Sequence, residues 1–422
     1  MASTVNSKDS FINGRGSHFC RGCLGKNLFS ALDLGFLSIA NELLTSNSEL
    51  SEVFPLHLKI CEMCGLGQVE DVVTPERIFK DYRYLSSISS TFLQHAEKFV
   101  DSMIDTGVVT KDDWVLEIAS NDGYLLKNFL DRDIKVLGVE PASNVAAIGE
   151  KLGIPTIVEF FSSTLASAIL EKHGHPKLII ANNVMAHVPD LHDFLKGISI
   201  LCDTKTLVSV ENPSLDNILS LGQFDTIYHE HYSYLSCSAV SALGAIHELE
   251  LYNVQPLLVH GGSNRYWLRS KRSNKASQEI VGIMKDAEMK KGLFDPSKWL
   301  EYRKSLEVSM TDFREWLESM VSSGNRIYGY GAAAKASTFL NYAHADHGSI
   351  LGIADASLEK QGRYISSHAI PIISPELLKS LHPSDVIIFP WNIKSEISKS
   401  LRDLLGESVN LWCLVPNIER VQ

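Results

Sequence analysis

Short apolar runs, each closed by a small or polar turn, recur through the middle and the end of this chain. WVLEIAS (114–120), IKVLGVE (134–140), PKLIIANNV (176–184) and KTLVSVEN (205–212) read as buried strands, and YLLKNFL after the first reads as a helix. Strands that alternate with helical stretches predict a parallel, doubly wound sheet. From 272 to 320 the pattern turns charged and helical, as expected of a connecting helix pair. The alternation then restarts in NRIYGYGAAAKASTFLN (325–341), GSILGIAD (348–355), DVIIFPW (385–391) and VNLWCLVP (409–416), predicting a second, smaller α/β domain. Residues 19–80 lack strong periodicity, and the polar opening MASTVNSKDSFINGRGSHF lacks the apolar core of a signal peptide.

Composition narrows the class. A chain of 422 residues is too long for one small core, and 45% hydrophobic with 21% charged residues is that of a soluble globular protein. The net charge of -11 argues against a nucleic-acid partner. No apolar run approaches the roughly 18 residues that span a bilayer, so no membrane is expected and the protein reads as cytoplasmic. Four of the seven cysteines form two Cys-x-x-Cys pairs, Cys20 with Cys23 and Cys61 with Cys64. Two such knuckles supply the tetrahedral thiolate set that zinc prefers, and a fully protein-ligated site is structural. Cys202, Cys237 and Cys413 read as ordinary buried small residues. The expected layout is a disordered tail (1–18), a small N-terminal zinc-binding domain (19–80), a central α/β domain (81–271) and a smaller C-terminal α/β domain with its connecting helices (272–422).

Two loops carry candidate ligand chemistry. LEIASNDGYLL (116–126) leaves a strand and opens a helix; Glu117 ends the strand, and Gly123 lets a ligand approach the backbone. Glu140 ends the next strand, where it could bind the ribose hydroxyls of an adenosine cofactor. The G-x-G-x-x-G fingerprint and a Walker lysine are both absent. An acid-rich loop suits S-adenosylmethionine, whose amino group and sulfonium are cationic. His187, in ANNVMAHVPD after a strand end, is either structural or lines the mouth of the same sheet. In GYGAAAKAS (329–337), Gly329, Gly331 and Lys335 could bind a sugar-nucleotide pyrophosphate; the other reading is a Rossmann remnant that only packs. Asp355 and Lys360 are weaker candidates for that cleft. DTIYHEHYSY (225–234) reads three ways: a metal site using His229 and His231, a catalytic base with helpers, or a polar turn. Spacing does not decide between the two histidines.

The chain resembles the S-adenosylmethionine-dependent C-methyltransferases of nucleotide-linked 4-keto-deoxysugars, enzymes of branched-sugar biosynthesis. CRGC with CEMCGLGQ, YRYLSSISSTFLQH, EIASNDGYLL, ANNVMAHVPD, YHEHYSY, HGGSNRYWL, GYGAAAKASTFLN and DVIIFPWN carry the resemblance, from about Cys20 to Pro416. It implies a zinc-binding domain, a class I methyltransferase doubly wound sheet and a second smaller Rossmann-like C-terminal domain. It further implies zinc on Cys20, Cys23, Cys61 and Cys64, and cofactor contacts from Glu117, Ala119, Asn121, Gly123 and Glu140. The base would be His231, with Tyr228 and Glu230 alongside, and His187 and Tyr84 would face the sugar. The reaction implied is methyl transfer to C3 through an enolate or enediolate, without help from a metal. LGFLSIAN (34–41) and YISSHAIPI (364–372) depart from the family pattern, the second in a stretch tied to substrate choice. The zinc domain plus two sheets could suffice as a monomer. An NAD-dependent nucleotide-sugar oxidoreductase using the GYG loop is the competing enzyme reading, and a zinc-ribbon nucleic-acid module the non-enzymatic one.

Overall fold

A computed structural model describes residues 18–49, 51–79, 85–273, 276–366 and 368–421. Tyr84, and the expected tail apart from His18, lie outside them. The chain divides into two compact units: unit 1 gathers 1–28, 61–214 and 232–294, and unit 2 gathers 29–60, 215–231 and 295–422.

Unit 1 is built on a seven-stranded sheet of β1 (Trp114–Ile118), β2 (Lys135–Val139), β3 (Thr156–Ile157), β4 (Leu178–Asn182), β5 (Leu207–Pro213), β6 (Leu249–Leu257) and β7 (Ser263–Ser270). Their order is β6-β7-β5-β4-β1-β2-β3. β1 to β5 pair in parallel, and β7 runs antiparallel to both β5 and β6. Period-2 alternation assigns the two faces. Val115, Leu178, Ile180 and Trp267 pack with Phe92, Ala96 and Phe99 of the helix Ser90–Asp105. Leu116, Ile179, Val208 and Leu268 pack with Leu165 and Phe194 of the helices Ser163–His173 and Leu191–Leu201. Because β1 lies between β2 and β4, the chain leaves β1 and β4 in opposite directions. That is a switch point, where ligands bind beyond the strands' carboxyl ends.

The β6–β7 hairpin is not legible as strands in the hydrophobic pattern. All eight residues of β7 are buried, yet Asn264, Arg265 and Arg269 interrupt the apolar run. Arg265 and Arg269 are paired with Glu211 and Glu250.

Unit 2 holds a second seven-stranded sheet of β8 (Ile327–Tyr330), β9 (Ile353–Ala354), β10 (Tyr364–Ile365), β11 (Ile370–Ile373), β12 (Asp385–Ile388), β13 (Asn410–Cys413) and β14 (Glu419–Val421). The order is β10-β11-β9-β8-β12-β13-β14. The inner strands are parallel and both edges antiparallel. The parallel set, β11-β9-β8-β12-β13, has the 3-2-1-4-5 order of a doubly wound Rossmann sheet, with its switch point between β8 and β12. Among the described residues no helix is long and apolar enough to cross a membrane.

The end of the YHEHYSY stretch, Ser233–Tyr234, pairs with Gly67–Gln68, and the helix Cys237–Ile246 begins shortly after. Glu288, 4% exposed, caps that helix from outside. Its carboxylate accepts from Cys237 N at 2.5 Å, Ser238 N at 3.0 Å and Ser238 Oγ at 2.7 Å. A buried anion on a helix N-terminus satisfies orphan amides and the helix dipole together. Glu288→Ala is expected to lose about 2–3 kcal/mol in chemical denaturation; an unchanged midpoint would contradict this role.

Candidate active site

The cofactor-type loop of unit 1 turns sharply because three alternate residues are left-handed: Ala119 (φ 56), Asn121 (φ 51) and Gly123 (φ 81). Gly123 is also tightly packed, since a Cβ there would sit 2.3 Å from Ile154 Cδ1 and 3.2 Å from the Gly149 backbone. A Cβ at Gly138 on β2 would sit 2.5 Å from Ser120 Oγ. The turn brings Asn121 N to 3.0 Å from Glu140 Oε2, while Glu140 Oε1 accepts Ala142 N at 2.9 Å. Ser86 and Ser87 brace the loop from the preceding segment, donating N–H to Asn121 Oδ1 (3.0 Å) and Asp122 Oδ2 (3.1 Å).

Three carboxylates are thereby buried together: Glu117 (1% exposed), Asp122 (1%) and Glu140 (4%). Burial, with Asp122 and Glu140 adding repulsion, pushes the Glu117 carboxyl well above the ordinary range. Burial also raises Glu140, against its two backbone hydrogen bonds. Among the described residues Glu117 Oε2 and Asp122 Oδ1 have no hydrogen-bond partner. Buried acceptors left open beside one another fit a ligand that brings N–H donors and positive charge. The amino group and sulfonium of S-adenosylmethionine meet that description. His187 closes the 3-10 turn Met185–His187 on the loop after β4, half-buried, at the same switch point.

The four cysteines of the two knuckles come together in unit 1, with their sulfurs all within 4.8 Å of one another. Cys20 Sγ lies 3.5 Å from Cys64 Sγ, and Cys23 Sγ 3.5 Å from Cys61 Sγ. Thiols this close pull Cys61 toward the thiolate through hydrogen bonds from Cys20 and Cys64. Four sulfurs and no oxygen fit zinc, which these residues would hold as a closed, structural ion. The knuckle also braces the chain after His231. Arg21, between Cys20 and Cys23, donates to Tyr232 O and to Val69 O (3.0 Å) and lies 5.6 Å from the Tyr232 ring centre.

In unit 2 the two histidines of YHEHYSY differ. His229 is 1% exposed, 3.3 Å from Phe54 O through Nε2, and burial pulls its pKa down to about 4. It is a neutral, buried imidazole. His231 is half-buried and lies against the Tyr228 ring, centroids 4.0 Å apart. Its Nδ1 is 3.1 Å from Thr226 O, an acceptor only, so Nδ1 carries the hydrogen. Nε2 therefore presents its lone pair, 2.9 Å from Tyr228 Oη. Glu230, 2% exposed, turns to Asn41, accepting from its N (3.0 Å) and Nδ2 (3.1 Å); burial raises its carboxyl. Asn41 belongs to LGFLSIAN, the first departure noted above.

The C-terminal loop brings in residues that sequence reasoning missed. Gly331 (φ 86) abuts Pro390, leaving no space for a Cβ, and Gly329 lies under Phe389, 2.6 Å from where its Cβ would be. Lys335 Nζ donates to Asn392 Oδ1 at 2.8 Å and lies 4.3 Å from the Trp391 ring centre. Trp391 Nε1 donates to Asp225 Oδ2 at 2.7 Å. Burial lowers Lys335 to about 8, opposed by Asp225, and raises Asp225 to about 6, opposed by Lys335 and Trp391. DVIIFPWN and DTIYHEHYSY lie far apart in sequence, and only the fold joins them.

Comparison with known proteins places these features. Residues 20–79 match the family model described as "Putative zinc binding domain", 96–252 the "Methyltransferase domain", and 258–416 the "C-methyltransferase C-terminal domain". The chain is 31% identical over 388 residues to the C-methyltransferase NovU of Streptomyces niveus, covering 92% of each. Among solved structures it is similar to the magnesium protoporphyrin IX methyltransferase of Synechocystis PCC 6803 at 12% identity and TM-score 0.32, over 46% of this chain and 89% of that one. An S-adenosylmethionine-dependent methyltransferase of Clostridium acetobutylicum is similar at 12% identity and TM-score 0.33, over 42% and 90%.

Cys61→Ser is expected to strip zinc from the purified protein, read by elemental mass spectrometry, and to lower its melting temperature. Unchanged zinc content would contradict the four-sulfur site.

Proposed function

Because the chain belongs to the family of S-adenosylmethionine-dependent C-methyltransferases, we propose that it methylates C3 of a nucleotide-linked 4-keto-deoxysugar through an enolate made by His231. The observation that carries this reading is the fixed tautomer of His231, whose Nε2 lone pair stands next to the Tyr228 hydroxyl. The sugar, its C3 position and its nucleotide come from the resemblance of the motif series.

A carbon nucleophile needs a proton removed beside a carbonyl, and a neutral imidazole is suited to that work at neutral pH. His231 Nε2 takes the C3 proton, the C–H electrons pass into the C3–C4 bond, and the C4 oxygen becomes an oxyanion. The Tyr228 hydroxyl, which borders Nε2 in the free protein, is the donor for that oxygen; such a donor is worth a few kcal/mol of barrier. S-adenosylmethionine, when bound, supplies an electrophilic methyl on a sulfonium. Transfer of that methyl to the enolate carbon, with the sulfur as leaving group, would restore the C4 carbonyl. Glu117, Ala119, Asn121, Gly123 and Glu140 would hold the cofactor, and the four cysteines the zinc. His187 is assigned to the oxyanion, and Glu230 to base or sugar orientation, on the resemblance. Among the described contacts Glu230 acts through Asn41.

Gly329, Gly331 and Lys335 are the pyrophosphate candidates of unit 2. Lys335 is a cation only below its lowered pKa of about 8. Binding of the sugar nucleotide therefore weakens as pH rises through 8, so kcat/KM should fall there in wild type and lose that limb in Lys335→Gln. A limb that persists in the variant would remove Lys335 from the assignment.

The reading is tested by incubating the protein with S-adenosylmethionine and nucleotide-linked 4-keto-deoxysugars and following product mass. The expected result is a gain of a single methyl on carbon. His231→Ala should abolish the gain while leaving cofactor affinity within about twofold, as expected when only a transition-state interaction is lost; wild-type turnover in that variant would exclude His231 as base.

A further inference from the structure

Two side chains of the motifs above have no part yet in this chemistry: His95, which ends YRYLSSISSTFLQH, and Arg265 of HGGSNRYWL. Both converge on Glu211, near the carboxyl end of β5. Register places Glu211 beside Asn182 of β4 on one side and Arg265 of β7 on the other. The Glu211 side chain is fully buried. Arg265 donates to its Oε2 through Nε (3.2 Å) and Nη2 (2.8 Å), and the Arg265 guanidinium lies 4.3 Å from the Phe99 ring centre. His95 Nε2 lies 2.9 and 3.1 Å from the two carboxylate oxygens. A carboxylate only accepts, so Nε2 carries the hydrogen. Burial alone would raise Glu211, but the His95 hydrogen bond and the Arg265 charge hold it below the usual carboxylate range.

A buried ion pair of this kind is a poor source of stability, because apolar residues of the same volume often do as well. What it does supply is fixed geometry, and two loops at the switch point lean on it. The Glu211 carbonyl accepts Asn183 N at 2.6 Å, holding Asn183 in the left-handed region (φ 55) at the start of the loop that carries His187. Phe92 stacks on His95 (6.1 Å, 16°) and on Tyr124 of the cofactor loop (5.0 Å, 24°).

We propose that Arg265, Glu211 and His95 form a positioning network that sets the cofactor loop and the His187 loop for methyl transfer. The network rests on the reading of these loops given above. Its test uses the full chain with two substitutions. His95→Gln keeps an N–H donor for Glu211, whereas His95→Phe keeps the ring stack and loses the donor. Calorimetry gives the S-adenosylmethionine dissociation constant, steady-state methyl transfer gives kcat and KM, and thermal melting reports folding. The expected result is that His95→Phe lowers kcat at saturating substrates by at least about tenfold, as small misplacements of reacting groups do, and that His95→Gln restores most of it. Wild-type kcat and cofactor affinity in both variants, with only the melting temperature lowered, would reduce the network to scaffolding. Failure of the wild-type protein itself to bind S-adenosylmethionine would overturn the reading of the loops, and the network with it.

Discussion

Three carboxylates packed at the carboxyl edge of one sheet set the terms for unit 1. Glu117, Asp122 and Glu140 are each almost fully buried, and among the described residues an oxygen of Glu117 and one of Asp122 lack partners. Burying charge without a counter-charge is expensive, so such groups either take up protons or await a cation. The raised Glu117 carboxyl is the first outcome. The cationic end of S-adenosylmethionine offers the second. The left-handed turns at Ala119 and Asn121, and the close approaches at Gly123 and Gly138, are what holding these groups together requires of the backbone.

Elsewhere charge is handled by pairing. Glu211 is as deeply buried as Glu117, yet Arg265 and His95 keep it ionised and rigid. In unit 2 burial lowers Lys335 to about 8 and raises Asp225 to about 6, and the attraction between the two opposes both shifts. The difference between a satisfied carboxylate and an open one separates parts that hold shape from parts that await a ligand.

Much of the fold was legible because its signals are local. Apolar runs ended by turns located β1, β2, β4 and β5, and the paired Cys-x-x-Cys spacing located the sulfur cluster. β7 escaped because its buried arginines look like surface until their carboxylate partners are known. His229 and His231 could not be separated by spacing, since what distinguishes them is tertiary. His229 is sealed under Phe54, and His231 is half-open with its tautomer set by Thr226. Asp225 and Trp391 were each in view, but they lie 166 residues apart and acquire meaning only in contact.

The central claim is that a cationic cofactor neutralises the acidic cluster around Glu117, and proton counting tests it most directly. Glu117 has a folded pKa above its unfolded value. The ligand-free fold therefore binds more protons than the unfolded chain between those values, and its stability falls as pH rises through that window. A cation placed against the cluster favours the ionised form and must expel protons. Calorimetric titration with S-adenosylmethionine, in buffers of different ionisation enthalpy between about pH 5 and 8, should report net proton release that adenosine does not cause. Equal proton balances for the two ligands, or proton uptake with the cofactor, would contradict the account.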